Sequence, residues 1–130
     1  MNGSRLLVSV LTRLNVRLAE LARTLRSNPE VQSVSTALTP RQYGPDDRVE
    51  CYVDVALRNG NGVGMWFEFR WEDGSWIIES SIRHNTDLGE DEILGLPTRY
   101  AVEDAELAEE LDGASRALVR AAQTLDFALL

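Results

Sequence analysis

The sequence contains no lysine, one cysteine, one histidine and no long apolar run, and each shortage excludes something. A single cysteine, Cys51, rules out an internal disulfide. With His84 as the only histidine, no cysteine/histidine set exists for a structural zinc site or for a centre with two histidines. No HExxH, Cys-x-x-Cys or GxSxG element occurs, so no metal or nucleophilic centre is expected and no cofactor is implied. No stretch approaches the ~20 apolar residues that cross a bilayer. Leu6–Leu11 is too short for a secretory signal, is followed by Arg13 and Arg17, and lacks a small-residue cleavage site, so a cytoplasmic protein is expected.

All thirteen cations are arginine, and the 130 residues carry a net charge of −8. That charge is uneven. Residues 1–30 balance at +3, residues 31–85 at −3 and residues 86–130 at −8. Between Asp87 and Glu110 nine carboxylates face only Arg99, and Asp87, Glu90, Asp91 and Glu92 form an acidic surface. Such a segment repels nucleic-acid phosphate and anionic membrane and attracts a basic protein, so neither nucleic acid nor membrane is expected as a partner.

The apolar spacing supplies a fold. Leu7, Leu11, Leu14, Leu18, Leu21 and Leu25 lie on one stripe of a helix that Ser4 can cap and Ser27-Asn28-Pro29 ends. A weak strand follows at Val31–Leu38, with Val34, Thr36 and Leu38 on one face. Thr39-Pro40 and Tyr43–Asp47 then read as loop. Three strands alternate strictly: Arg48–Arg58, Val63–Glu72 and Trp76–Arg83.

Asp73-Gly74 suits a two-residue hairpin that pairs Trp71 with Trp76. A three-residue loop over Asn59–Asn61 pairs Leu57 with Val63 and Val53 with Phe67, which keeps one apolar face. The glycines of Asn59–Gly64 serve this turn, because the lysine and the following helix of a phosphate loop are missing.

The residues after Ile82, including His84, read as polar loop. A second helix follows over about Val102–Leu129, with Leu107, Leu111, Ala114, Leu118, Leu125 and Leu129 as its stripe and Asp112-Gly113 as a weak point. The expected architecture is a single two-layer α+β domain spanning residues 1–130. Its order is α-β-β-β-β-α, with an antiparallel meander sheet and both helices on one face.

Cys51 falls on the apolar face, where a buried inert thiol is expected. On the opposite face the register sets Glu68 against Glu79 with Tyr52 on its other flank. It also sets Trp66 between Asp54 and Ser81, and Arg70 between Glu50 and Ile77. Tyr52, Asp54, Trp66, Glu68, Arg70, Ile77 and Glu79 are therefore the candidate partner-binding residues, aromatic and aliphatic area set among carboxylates.

A leucine-striped helix, a tryptophan-bearing sheet ending in Trp71-Glu-Asp-Gly-Ser-Trp76-Ile-Ile-Glu-Ser, and an acidic closing helix together resemble small immunity proteins of bacterial polymorphic-toxin systems. The layout is similar to the TriTu family, whose members are taken to neutralise ADP-ribosylating toxins. The resemblance implies a non-catalytic inhibitor that occludes a toxin's active site. Two other readings fit the same residues. One is a secretion-chaperone-like homodimer clasping a client protein. The other is a small hydrolase using the Glu68/Glu79 pair, which requires a cavity on the outer face.

Overall fold

The computed structural model describes the backbone of residues 3–43 and 46–130, with side chains described for these except 3, 4, 6, 7, 38–43, 46 and 47. The chain runs α1 (Gly3–Arg26), β1 (Val31–Tyr43), β2 (Asp46–Leu57), β3 (Gly62–Glu72), β4 (Ser75–Thr86), β5 (Gly89–Gly95), β6 (Arg99–Ala101), α2 (Asp104–Gln123) and a 3-10 turn at Phe127–Leu129. The sheet is antiparallel throughout, in the order β1-β2-β3-β4-β5, with β6 also paired to β4. The fold is therefore two-layer α+β, with two strands more than the spacing predicts.

One face of the sheet is apolar. Cys51, Val53, Val55 and Leu57 of β2, Val63, Met65, Phe67 and Phe69 of β3, and Ile78 and Ile82 of β4 join the helices in one buried cluster. α1 contributes Val10, Leu14, Leu18, Leu21 and Leu25, with Leu11 half-buried, so the leucine stripe is the core-facing side. The Ser4 cap and Leu7 lie outside the described side chains. α2 contributes Leu107, Leu111, Ala114 and Leu118.

The helices are tied together by Arg17, whose Nη1 reaches Asp112 Oδ1 at 2.9 Å. Burial alone would raise the Asp112 carboxyl. The Arg17 hydrogen bond and the charges of Arg17, Arg116 and Arg13 outweigh it and hold the group below its ordinary range. No helix among the described residues is long and apolar enough to cross a membrane.

Several expectations are corrected. β1 does not stop at Leu38 but continues through Thr39-Pro40 to Tyr43, and β2 begins at Asp46, so the broad loop shrinks; Gly44-Pro45 lie outside the described residues. Pro40 is tolerated because β1 is an edge strand, where a missing N–H breaks no ladder on the outer side.

α2 ends at Gln123 rather than near Leu129. Thr124 closes it, Phe127 rather than Leu129 is buried, and Leu129 is exposed. Asp112-Gly113 does not split the helix, which runs unbroken through it. Gly113 leaves room for the Arg99 guanidinium, which a Cβ there would meet at 2.5 Å.

The Asp73-Gly74 hairpin forms as expected, both residues at positive φ, with Trp71 opposite Trp76 and their rings edge-on at 5.5 Å. The β2–β3 turn also has three residues, but they are Arg58-Asn59-Gly60, not Asn59–Asn61. Leu57 N–H donates to Asn61 O at 2.8 Å, and Gly60 takes φ +93°. This turn type needs its left-handed residue in third place, and glycine occupies that conformation without strain. The face is preserved, but every β2 partner slides by two: Val55 pairs with Val63, Val53 with Met65 and Cys51 with Phe67.

Candidate binding face

The face opposite the helices is built by alternation. Residues 48, 50, 52 and 54 of β2, 64–72 (even) of β3 and 79–85 (odd) of β4 point away from the core. With the corrected register, three rows cross the sheet: Tyr52–Trp66–Ser81, Glu50–Glu68–Glu79 and Arg48–Arg70–Ile77. The expected Glu68–Glu79 opposition is present. The other flank of Glu68 is Glu50, not Tyr52. Trp66 lies between Tyr52 and Ser81, not Asp54 and Ser81, and Arg70 lies between Arg48 and Ile77, not Glu50 and Ile77. The cause is the two-residue slide set by Gly60.

Three carboxylates in one row would repel across the sheet; the adjacent arginine row answers them. Glu68 is only 2% exposed, with Oε1 accepting from Arg70 Nη1 at 2.9 Å and Oε2 from Arg48 Nη1 at 3.4 Å. Arg70 also holds Glu72 at 2.8 Å and stands 3.3 Å from Glu79. Burial works against the Arg70 charge, but hydrogen bonds to Glu72, Glu79 and Glu68 overcome it and fix the guanidinium in its charged form. The Tyr52 hydroxyl donates to the Glu50 carboxylate, and Glu50 is itself buried.

At the other end of the face, Arg83 lies over the Trp66 ring, 5.4 Å from its centroid, and pairs with Glu90 at 2.8 Å. Asp54 lies at this end with Glu90. Its pKa is raised, first by lost hydration and then by the charge of Glu90. The neighbouring Asn85 Oδ1 is buried with no hydrogen-bond partner among the described residues.

These side chains enclose a groove of about 680 Å³. Its walls bring together Tyr52, Asp54, Trp66, Glu68, Arg70 and Glu79 of the expected site, and add Arg48, Glu50, Glu72, Arg83, Asn85 and Glu90. Among the described residues, six carboxylates there face three arginines. Ile77 does not join them; it sits half-buried between Arg70 and Tyr100 at the sheet's far end.

The acidic surface is also rearranged. Asp87 is in the β4–β5 turn, and Glu90, Asp91 and Glu92 lie on strand β5 rather than in a loop. His84 is likewise in β4, half-buried, with Nε2 2.6 Å from the Leu130 main-chain oxygen. Arg83-His84-Asn85-Thr86 holds no apolar residue, so no hydrophobic alternation marked this extension of β4.

Chemically, the face offers ion pairing and aromatic contact. Both Glu68 oxygens are engaged by arginines, and burial pushes the Cys51 thiol up to about 12. Among the described residues no group of three or more histidine, cysteine, aspartate or glutamate side chains is placed to hold a metal ion. The chain matches no protein-family model, no curated protein and no solved structure.

Proposed function

We propose that the chain is a non-catalytic acidic binding protein of the bacterial immunity type, which uses its outer sheet face to occlude a basic cognate protein in the cytoplasm. The observation that carries this reading is the groove, where carboxylates outnumber arginines two to one on a chain of net charge −8. Its division of labour supports the reading further. Glu68 and Glu50 are buried and paired inside the fold, whereas Asp54 and Glu90 are accessible at the end that holds Trp66 and Tyr52, and Glu72 and Glu79 are accessible around Arg70. Charge complementarity of this kind speeds encounter and selects the partner.

The test is capture of a partner by the tagged protein from its native cells, at low and high salt, followed by Glu79→Arg and Asp54→Arg. A basic, salt-sensitive partner whose affinity falls by about tenfold or more in the double variant is expected. Unchanged affinity sinks this face as the contact.

The groove volume lies within the range of small-molecule sites, roughly 300–1,000 Å³, and this favours a second reading in which a small cationic ligand or a hydrolysable substrate binds there. The lining speaks for the protein partner, because small-molecule pockets are mainly apolar and this one is mainly charged. The homodimeric chaperone reading separates from both by sedimentation: it requires a dimer without a client.

A further inference from the structure

We propose that β5 is a docking edge that takes an extended, lysine- or arginine-bearing strand of a partner by sheet extension. β5 ends the strand order and pairs only with β4, so one side of its main chain has no neighbour among the described residues. All seven of its residues are exposed, so neither of its faces is buried in the core. Exposed apolar area accompanies it: Ile93 is 38% and Leu94 36% exposed, and Leu88 at the hairpin tip is 99% exposed.

Unpaired edges template further strands, and folds blunt them with proline, lysine, bulges or a cover. The opposite edge, β1, carries Pro40 and Arg41. β5 has neither proline nor a cation. It has one bulge, at Ile93, where the pairing steps from Leu94↔Ile82 to Glu92↔Arg83, and three consecutive carboxylates, Glu90, Asp91 and Glu92.

Consecutive residues project to opposite faces of a strand, so this run presents negative charge on both. A second copy of β5 laid antiparallel would meet like charges from both sides, which destabilises cross-strand pairs. A cationic strand would meet an opposite charge on either face. Among the described residues only Glu90 of the three is held internally, by Arg83, and Asp91 and Glu92 carry no ion pair. The acidic run therefore bars self-association and leaves the edge open to a basic partner, with main-chain hydrogen bonds supplying affinity and charge the selection. This inference shares with the groove reading the sign of the partner's charge and one residue, Glu90, which the β5 variant leaves unchanged.

The test uses the full chain and a capped peptide alternating lysine and valine. A second peptide is N-methylated at alternate peptide nitrogens, and a third carries glutamate for lysine. Binding of the lysine peptide, loss of at least about tenfold affinity on N-methylation, and slowed amide exchange over Glu90–Leu94 are expected. Asp91→Lys with Glu92→Lys should weaken the lysine peptide and admit the glutamate peptide.

Equal binding of the N-methylated peptide overturns the proposal, as does no binding by any peptide. So does a protein that is already a dimer with protected β5 amides. Binding that falls with Asp54→Arg and Glu79→Arg but not with the β5 variant overturns the edge and leaves the groove reading standing. The reverse result supports the edge and leaves the groove to its own test, capture of the basic partner.

Discussion

Arg70 divides one guanidinium among Glu68, Glu72 and Glu79, and of these only Glu68 is shut away from water. Removing the arginine leaves a buried carboxylate with Arg48 alone at 3.4 Å. Breaking a buried pair costs far more than replacing both members, because the orphaned charge has lost its hydration. Arg70→Met should therefore destabilise the fold by on the order of 3 kcal/mol, and adding Glu68→Gln should recover a good part of that loss. Urea denaturation of the three proteins checks this; a double variant as weak as the single one shows that packing, not charge, is lost.

Asp54 carries the opposite sign. Its folded pKa is raised by lost hydration and by Glu90, so the folded state binds this proton more tightly than the unfolded one. Stability is therefore given up as pH rises above the ordinary aspartate value of ~3.9. Asp54→Asn should be more stable than the parent at neutral pH, and the difference should vanish below about pH 4. Thermal melts across that range decide it, and a difference that persists in acid refutes the electrostatic cause.

At the scale of elements, Gly60 shows how close and how incomplete a sequence reading can be. Parity alone placed the apolar faces of β2 and β3 together, because either three-residue loop preserves it. The partners depended on which residue takes the left-handed conformation, and Asn59-Gly60-Asn61-Gly62 offers several candidates. That single choice moved Glu50 beside Glu68 and Tyr52 beside Trp66, and so rewrote the candidate site while leaving its membership almost intact.

β5 was illegible for a different reason. Hydrophobic alternation appears only when one face of a strand is buried, and Gly89-Glu-Asp-Glu-Ile-Leu-Gly95 buries neither. The helices and the three central strands were legible because each turns one apolar side to the same core.

The turn can be probed directly. A Cβ at Gly60 would meet nothing within 4 Å, so substitution there tests backbone alone. Gly60→Ala should cost about 1 kcal/mol and Gly60→Asn less, because asparagine tolerates the left-handed region. Equal losses in urea would show that the φ requirement is not the source.

For the whole molecule, the same charge surplus acts on folding and on association with opposite consequences for salt. Residues 86–130 concentrate a charge of −8, and compaction brings those carboxylates together. The ion pairs at the surface, such as Arg83–Glu90 and Arg99–Glu110, are half-exposed and each contributes only about 0.2–1 kcal/mol. The Glu68–Arg70 pair is buried on its carboxylate side and is screened much less. Added salt therefore relieves more repulsion than it removes attraction, and Tm should rise by a few degrees between low and roughly 0.5 M sodium chloride. Over the same interval the association rate with a basic partner should fall by about tenfold or more, because steering is screened. Scanning calorimetry and stopped-flow binding read the two separately. A Tm that falls with salt would mean that the surface pairs hold the fold together and that the acidic surplus exerts no net strain upon it.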